Sequence, residues 1–356
     1  MICCLFYTTN GNHPLITSVM KIRTTLCHEI SEDISILKLQ EIDIAKPADD
    51  EVQISVRACA VNFPDLLMIQ DKYQFKPPLP FAPGGELAGD VSAIGQSVED
   101  FKVGDRVVTG IRYGGFSEAI NVPASSVRSI PGTIAYEKAA SYGTAYLTAY
   151  VALNIRGNLQ AGETLLVHGA TGGVGMAAVD LGKQMGAHVI ATGGTDEKLT
   201  VVKSRGADHV INYTMADGSL GGFREKVKAL TNGNGADVIY DPVGGSVFDE
   251  SMRCINWGGR ILSIGFTSGV WPKAAVNHIL IKQIAVIGVR AGEIGRRDPE
   301  LGRRNSEALY QLLKDGAIDP YVCAGFPLEQ AVGALKMLED RKVIGKVVVT
   351  MNGYTF

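Results

Sequence analysis

The stretch LLVHGATGGVGMAAVDLGKQMG, residues 165–186, decides the fold of this 356-residue chain. Its apolar start predicts a short buried strand, its clustered glycines predict a tight turn, and the alanine-rich part after them predicts a helix. Bare backbone amides at the start of a helix can bind a diphosphate, because the helix dipole favours negative charge there. The stretch therefore predicts a dinucleotide-binding strand–turn–helix unit rather than an ordinary turn between a strand and a helix.

The alternation of strand and helix continues after this unit. Each short apolar stretch is followed by a longer stretch with helical spacing, which is typical of βαβ units and a parallel sheet. Six strands complete a doubly wound dinucleotide-binding fold. The predicted strands are 164–169, 188–193, 209–213, 237–244, 260–266 and 284–289, and the predicted helices are near 174–186, 196–205, 220–232, 246–257 and 272–282.

The rest of the chain has a different pattern. Between residues 22 and about 130, short β-branched segments alternate apolar and polar positions and are separated by turn signals, which predicts a partly open β-barrel. Residues 135–155 are rich in alanine and predict a long helix. We expect the segment after the parallel sheet, with helices near 305–316 and 329–340 and a last strand KVVVT, to return to the barrel.

The sequence thus predicts an α/β protein of two domains. The first domain is discontinuous and consists of residues 20–145 and 291–356, and the second is inserted into it at residues 146–290. Residues 1–19 precede a second methionine, Met20, and we expect them to form a disordered extension.

The composition argues against several classes of partner. The formal net charge is −3 and no basic block accumulates, which disfavours a nucleic-acid or membrane-surface partner. No uninterrupted apolar run reaches the roughly 18 residues that a membrane span needs. The six cysteines are scattered without disulfide or metal-binding spacing, so we expect reduced thiols and a cytoplasmic location.

The end of the second predicted strand indicates which dinucleotide is bound. NAD-binding folds place an acidic residue there to accept from the ribose 2′-hydroxyl, whereas this strand ends in Gly193, Gly194 and Thr195. Asp196 follows in the first turn of the next helix, where an acid is expected for capping. Lys198 and Tyr213 suit a 2′-phosphate, which favours NADP over NAD. The alternative for Lys198 is an ordinary solvated lysine.

Several stretches together resemble the zinc-independent quinone oxidoreductase branch of the medium-chain dehydrogenase/reductase family, the branch that includes zeta-crystallin. They are AVNFPDLLMIQDKY (60–73), PGGELAGDVSAIG (83–95), VGDRVV (103–108), VHGATGGVG (167–175), GADHVINY (206–213) and YDPVGG (240–245). The resemblance implies a GroES-like catalytic domain, an inserted six-stranded Rossmann domain for NADPH, and two-electron reduction of a small electrophile. It also implies a homodimer joined through the edge strand IAVIGV, residues 284–289.

The resemblance also implies that no metal takes part. Zinc-dependent relatives have a cysteine where this chain has Asn62, a histidine where it has Gly85, and a four-cysteine loop that this chain lacks. Glu86, which lies between Gly85 and Leu87, is then expected to accept hydrogen bonds from turn amides, with general-acid catalysis as the alternative.

The resemblance further implies the site residues. Asn62 and Tyr73 are the candidate donors to a substrate oxygen, although Tyr73 could equally be an aromatic that packs on PPLPF. Asp65 is expected to cap the helix that starts near Pro64. The residues expected to bind NADPH are Asn62, Thr148, Thr171, Gly172, Gly173, Val174, Gly175, Gly194, Lys198, Tyr213, Gly244, Gly265, Phe266, Val289, Arg290 and Arg341.

Three functions stay open at this point. A quinone, or an activated alkene such as an enone, an alkenal or a 2-enoyl thioester, can accept a hydride without a Lewis acid because it is already electron-poor. A protein that binds NADPH without turnover is the third possibility. The basic residues in GIRYGG and EIGRRDPELGRR could contact the phosphates of an acyl-CoA or be solvated surface.

Overall fold

The computed structural model describes residues 19–356. The extension predicted at residues 1–19 therefore lies outside the described residues, apart from Val19. The segment up to Ser129 is almost entirely β-structure. Its strands are β1 (Met20–Leu26), β2 (Lys38–Ile44), β3 (Glu51–Ala60), β4 (Glu86–Ile94), β5 (Arg106–Gly110), β6 (Ala119–Pro123) and β7 (Val127–Ser129), and α1 (Phe63–Ile69) follows β3.

A long helix, α2 (Tyr136–Tyr150), leads from this β-rich segment into the parallel sheet, and it continues as a π-helical segment at Val151–Arg156. The strands of the sheet and their helices alternate as the sequence predicts. They are β8 (Thr164–Val167), α3 (Gly173–Gln184), β9 (His188–Gly193), α4 (Asp196–Ser204), β10 (His209–Asn212), α5 (Arg224–Leu230), β11 (Ala236–Asp241), α6 (Gly245–Cys254), β12 (Ile255–Ser263), α7 (Val276–Lys282) and β13 (Ala285–Gly288).

The parallel sheet has the strand order β10-β9-β8-β11-β12-β13, with β8 and β11 side by side at its centre. The strand order reverses between β8 and β11, so a crevice opens at the carboxyl ends of these two strands, where ligands bind in open α/β sheets. The glycine-rich turn follows β8 and lies at this crevice. The predicted doubly wound Rossmann fold is confirmed.

The end of the chain returns to the β-rich segment. Two helices, α8 (Ala291–Arg297) and α9 (Pro299–Lys314), are followed by β14 (Val322–Pro327), α10 (Ala331–Glu339) and β15 (Lys346–Thr350). Strands β14 and β15 join β3, β4, β5 and β7 in a seven-stranded sheet, with β6 paired to β3. Short 3-10 helices lie at Ile34–Ile36, Ala124–Ser126 and Leu328–Gln330.

Some predicted bounds are wrong, for local reasons. The helix predicted at 220–232 begins only at Arg224, because Gly222 has a φ of 69° that a helix cannot accommodate. The strand predicted at 260–266 begins earlier, at Ile255, where Gly258 and Gly259 interrupt the apolar pattern and hide its first half.

The six-stranded and the seven-stranded sheets meet at the glycine-rich turn. The Gly345 amide, just before β15, donates to the Thr171 carbonyl at 2.8 Å, and Gly172 and Gly345 form an isolated parallel bridge. Helix α2 contributes to a buried core that also contains α3 and the central strands of the parallel sheet. The residue that precedes the last strand is therefore hydrogen-bonded directly to the turn that the sequence singles out.

Candidate functional site

The glycine-rich turn offers unpaired backbone amides to a groove of about 410 Å³. Helix α3 begins at Gly173 after Gly172, which has no side chain to cap it. The amides of the first helical turn have no acceptor within the helix, so they are free to bind an anion. A Cβ on Gly175 would lie 2.3 Å from the Gly169 carbonyl oxygen, so only glycine allows the chain to turn this tightly.

Part of the predicted 2′-phosphate site lines the groove. Tyr213 and Arg341 line the groove, and burial raises the pKa of the Tyr213 hydroxyl to about 12. The Lys198 ammonium donates to the Arg341 carbonyl and, at 3.4 Å, to the Val343 carbonyl. The Thr214 hydroxyl donates to the Gly194 carbonyl at 2.7 Å. Lys198 therefore lies beside Arg341 but does not itself line the groove.

Not every predicted cofactor residue lines this groove. Gly244 and Phe266 lie next to each other, since a Cβ on Gly244 would be 3.1 Å from the Phe266 ring. The Val289 amide donates to the Ser263 carbonyl, and Arg290 is 3.7 Å from Glu293. The predicted residues that line the groove are Asn62, Thr171, Gly172, Gly173, Val174, Tyr213 and Arg341. Those that do not are Tyr73, Thr148, Gly175, Gly194, Lys198, Gly244, Gly265, Phe266, Val289 and Arg290.

At the Asn62 end of the groove, Asn62 and Lys346 line the groove and form a buried polar cluster with Glu86, which does not line it. The Lys346 ammonium donates to Asn62 Oδ1 at 2.6 Å and to Glu86 Oε1 at 2.8 Å, and it lies 3.4 Å from the Val61 carbonyl. Asn62 Nδ2 donates to the same Glu86 oxygen at 2.9 Å. The Lys346 and Glu86 side chains are only 7% and 4% exposed, so water does not replace these bonds.

This network fixes the orientation of the Asn62 amide. Its oxygen faces an ammonium and its nitrogen faces a carboxylate, so a flipped amide would place each atom against the wrong partner. One Nδ2 hydrogen is used by Glu86, which leaves the second available to an acceptor in the groove. The geometry thus presents a single oriented N–H donor beside the nucleotide-binding turn.

Lys346 is the residue of this cluster that sequence reasoning misses. It begins the apolar strand β15, where a lysine resembles an ordinary exposed strand end. Its proximity to the glycine turn is visible only in three dimensions: a Cβ on Gly173 would lie 2.7 Å from Lys346 Cδ.

The expectation that Glu86 accepts from turn amides is wrong. Its second carboxylate oxygen accepts from the Thr144 amide of α2 at 2.7 Å, and its first accepts from side chains. The expected cap is confirmed: Asp65 accepts from the Asn62 amide at 2.7 Å and from the Gly84 amide at 3.0 Å. Desolvation by burial raises the pKa of the Asp65 carboxyl to about 6.

Tyr73 lies away from the groove. It is partly buried and packs against the apolar core of the β-rich domain, with Phe75 and Tyr113 nearby in the same cluster. The structure thus places one of the two predicted donors, Asn62, at the groove and places Tyr73 in a packing environment.

Residues 19–356 contain neither a cluster of metal-binding side chains nor a membrane-spanning helix. No three His, Cys, Asp or Glu side chains lie together as a group that could hold a metal ion. In the same part of the chain, every helix is too short or too polar to cross a membrane.

Comparisons with known proteins agree with this architecture. The family model for the alcohol dehydrogenase GroES-like domain matches residues 48–132, and the model for zinc-binding dehydrogenases matches residues 173–304. The chain is 36% identical over 331 residues to a quinone oxidoreductase-like protein 2 homolog of Nematostella vectensis, which covers 92% of this chain and 88% of that protein.

Solved structures show the same fold. The Escherichia coli quinone oxidoreductase complexed with NADPH is 30% identical and superposes with a TM-score of 0.80 over 92% of this chain and 99% of its own. The CurK enoyl reductase is 27% identical, with a TM-score of 0.81 over 93% and 99% of the two chains. This chain therefore belongs to the medium-chain dehydrogenase/reductase family, in its quinone oxidoreductase-like group.

Proposed function

We propose that this protein catalyses the NADPH-dependent two-electron reduction of a quinone without a metal. The observation that carries the proposal is the oriented Asn62 amide in the same groove that the glycine turn lines with its free amides. A family whose members include a quinone oxidoreductase complexed with NADPH supports the choice of cofactor.

The residues present fit NADPH. The first-turn amides of α3 and the absence of side chains at Gly172 and Gly173 suit the diphosphate. Lys198, Tyr213 and Arg341 suit the 2′-phosphate, and the remaining predicted residues complete the proposed cofactor site. When bound, NADPH supplies the hydride.

Asn62 is the proposed catalytic donor. Its second Nδ2 hydrogen would bind the substrate oxygen that becomes negative, and a preorganised donor of this kind is worth more in a site shielded from water. Lys346 and Glu86 act as positioning residues, because they hold the amide in one orientation. Such a site suits an acceptor that is already electron-poor and needs no Lewis acid.

Reduction of an activated alkene is the second candidate. It is favoured by the likeness to an enoyl reductase and would use the same Asn62 donor on an enone oxygen. Binding of NADPH without turnover is the third, and the intact Asn62–Glu86–Lys346 cluster speaks against it.

An acceptor panel tests the proposal. NADPH oxidation is followed with 9,10-phenanthrenequinone, a trans-2-alkenal and crotonyl-CoA, for the unaltered chain and for Asn62→Ala. We expect reduction of the quinone and a fall in kcat of about 10²-fold in the variant, the usual cost of removing one oxyanion donor. Asn121→Ala, which changes a side chain on β6 that bonds Gln53 and Ala45, is the matched control.

Two outcomes would contradict the proposal of quinone reduction. Preferential turnover of the alkenal or of crotonyl-CoA would select the second candidate. Quenching of NADPH fluorescence without oxidation by any acceptor would select the third.

The proposed assembly is a homodimer formed by the edge of the Rossmann sheet, in a cytoplasmic protein. Strand β13 is the last strand of that sheet, and the preceding helix α7 exposes Val276, Leu280 and Ile281, each more than 70% exposed. Apolar side chains exposed next to a free sheet edge favour pairing with a second copy. Light scattering after size exclusion should give twice the chain mass, and Leu280→Lys should give a monomer.

A further inference from the structure

Reduction of a quinone needs a proton as well as a hydride, and the groove contains few groups that could supply the proton. Four ionisable side chains line it, and they are Tyr213, Glu339, Arg341 and Lys346. Of these four, Lys346 is the one that is hydrogen-bonded to Asn62 within residues 19–356. Since Asn62 is the proposed donor to the substrate oxygen, Lys346 is the candidate acid at that oxygen.

One hydrogen of the Lys346 ammonium is held only weakly. Two of its three hydrogens form bonds of 2.6 Å to Asn62 Oδ1 and 2.8 Å to Glu86 Oε1, whereas the third faces the Val61 carbonyl at 3.4 Å. That distance exceeds the usual range of an N–H···O bond, roughly 2.7–3.2 Å. The third hydrogen can therefore pass to a substrate oxygen while the two short bonds hold the ammonium in place.

The cluster separates the groove from a second cavity, of about 620 Å³. Glu86 lines this second cavity and not the groove, whereas Asn62 and Lys346 line the groove and not the cavity. Exposed residues such as Ser126 and Arg303 form part of the cavity wall, so the cavity opens to solvent. Its volume far exceeds the roughly 10–15 Å³ that one water needs. Water can therefore reach the Glu86 side of the cluster while the substrate lies on the Lys346 side.

The Glu86 carboxylate keeps a free acceptor position. Its Oε1 accepts from Asn62 and Lys346, whereas its Oε2 accepts from the Thr144 amide. Each carboxylate oxygen has two lone pairs, so Oε2 has one left. Gly143, which also lines the cavity, leaves space at this oxygen, since a Cβ on Gly143 would lie 3.2 Å from Oε2. Glu86 can thus take up a proton on Oε2 while Oε1 stays bonded to Lys346.

We propose that Lys346, besides orienting Asn62, is the proton donor of the reaction, and that Glu86 returns a proton to it from the second cavity. After hydride transfer, an N–H bond of Lys346 breaks and an O–H bond forms on the reduced substrate oxygen, which leaves a neutral amine. Glu86 then takes a proton from solvent on Oε2, turns its carboxyl group and passes the proton to the amine. One solvent proton is consumed for each hydride, and both side chains regain their charges. This inference rests on the proposed function, because Asn62 has to hold the substrate oxygen.

Gly143→Ala tests the proton route without removing a bond of the cluster. Gly143 lies within α2, where alanine is favoured over glycine, but the new methyl group would contact Glu86 Oε2. In stopped-flow oxidation of NADPH by 9,10-phenanthrenequinone, the first turnover should keep its rate, because Lys346 enters it protonated. Steady-state kcat should fall roughly tenfold, less than the 10²–10⁴-fold that loss of an acid–base group costs, and its solvent deuterium isotope effect should rise. The KM of the quinone and the Kd of NADPH should not change.

Gly292→Ala is the matched control. Gly292 is a helix glycine that lines the same cavity, and its Cβ would meet nothing closer than the Arg296 guanidinium at 3.7 Å. This variant should keep the kcat and the isotope effect of the unaltered chain.

Lys346→Arg tests the donor itself. Arginine keeps the positive charge and the N–H groups, but its guanidinium does not release a proton at neutral pH. We expect Lys346→Arg to be more stable in urea than Lys346→Met, and yet to lose about 100-fold or more in kcat, with the first turnover slowed as well.

The proposal is overturned if Gly143→Ala keeps the steady-state kcat or slows its first turnover as much as the later ones. A stable and fully active Lys346→Arg chain would overturn it too. If the unaltered chain reduces a trans-2-alkenal or crotonyl-CoA but no quinone, the proposed function fails, and the same variants test the relay with that acceptor, because an enolate also needs a proton. Oxidation of NADPH by none of the acceptors would overturn both proposals.

Discussion

Two parts of the groove, the glycine turn and the Asn62 end with its Asn62–Glu86–Lys346 cluster, present a ligand with different chemistry. The glycine turn offers backbone amides from consecutive residues, and no side chain takes part. The Asn62 end offers one side-chain amide whose orientation depends on a lysine 284 residues further along the chain. At the turn, steric space determines which residues are tolerated, since a methyl group on Gly175 would collide with the backbone. At the Asn62 end, charge determines which residues are tolerated, since the buried Lys346, Glu86 and Asn62 side chains must stay paired with one another.

This difference determines whether a substitution in each part weakens ligand binding or the stability of the protein. A substitution at the turn should disturb ligand binding more than stability, because the backbone there has little buried charge to lose. A substitution in the cluster should disturb stability first, because a buried ion pair that loses one partner leaves the other charge without water or a counter-ion. Measurements of ligand affinity and of the free energy of unfolding therefore distinguish the turn from the cluster.

The largest effect is expected from Lys346→Met. It leaves the Glu86 carboxylate buried with only Asn62 and the Thr144 amide as partners, and breaking a buried pair in this way costs about 3–5 kcal/mol. Urea unfolding should show this loss. Lys21→Met is the matched control, since its pair with Glu41 is 69% and 56% exposed and exposed pairs contribute at most about 1 kcal/mol.

The double variant Lys346→Met with Glu86→Gln sharpens this test. Because it removes both charges, it should recover much of the lost stability, although the Asn62 amide then loses its fixed orientation. A double variant as unstable as Lys346→Met alone would mean that packing of the lysine stem, and not charge, holds the cluster together.

The next largest effect is expected at the turn. Gly175→Ala forces the backbone near Gly169 to move, because the new Cβ would lie 2.3 Å from a carbonyl oxygen. We expect NADPH binding, followed by fluorescence titration, to weaken roughly 100-fold, about 2.8 kcal/mol at 1.4 kcal/mol per factor of ten. Gly132→Ala is the control, since its Cβ would meet nothing closer than 4.0 Å. Unchanged affinity in Gly175→Ala would show that the ligand does not use this turn.

A smaller effect is expected from Lys198→Glu, beside Arg341. The change removes a positive charge beside Arg341 and should weaken NADPH binding roughly tenfold, about 1.4 kcal/mol, while NADH binding stays nearly the same. Because Lys198 also donates to the Arg341 and Val343 carbonyls, it could act only by holding the end of the chain. Equal losses for NADPH and NADH would support that structural role and contradict the 2′-phosphate assignment.

The turn could be predicted from the sequence because everything it needs is contiguous. A strand, four glycines and a helix follow one another in residues 164–184, and the strand predicted at 188–193 is found at His188–Gly193. Local conformational rules act over a few residues, so they are visible in a sequence. The whole six-stranded sheet follows from repetition of such units.

The cluster could not be predicted in this way. Lys346 meets Glu86 across 260 residues. A lysine at the start of an apolar strand has an ordinary surface pattern. Only the return of the chain to the first domain brings it to its partners, Glu86 and Asn62.

The smallest effect, no change at all, is expected from removal of metal. A cation at the Asn62 end would lie next to the Lys346 ammonium and would compete with hydrogen bonds that already engage Asn62 Oδ1 and both Glu86 oxygens. Dialysis against a chelator should therefore leave quinone reduction unchanged, with a zinc-dependent alcohol dehydrogenase treated in parallel as the control that loses activity. Activity that falls and returns only with added Zn²⁺ would mean that Lys346 moves aside for the metal, and the charge balance inferred for this end of the groove would then be wrong.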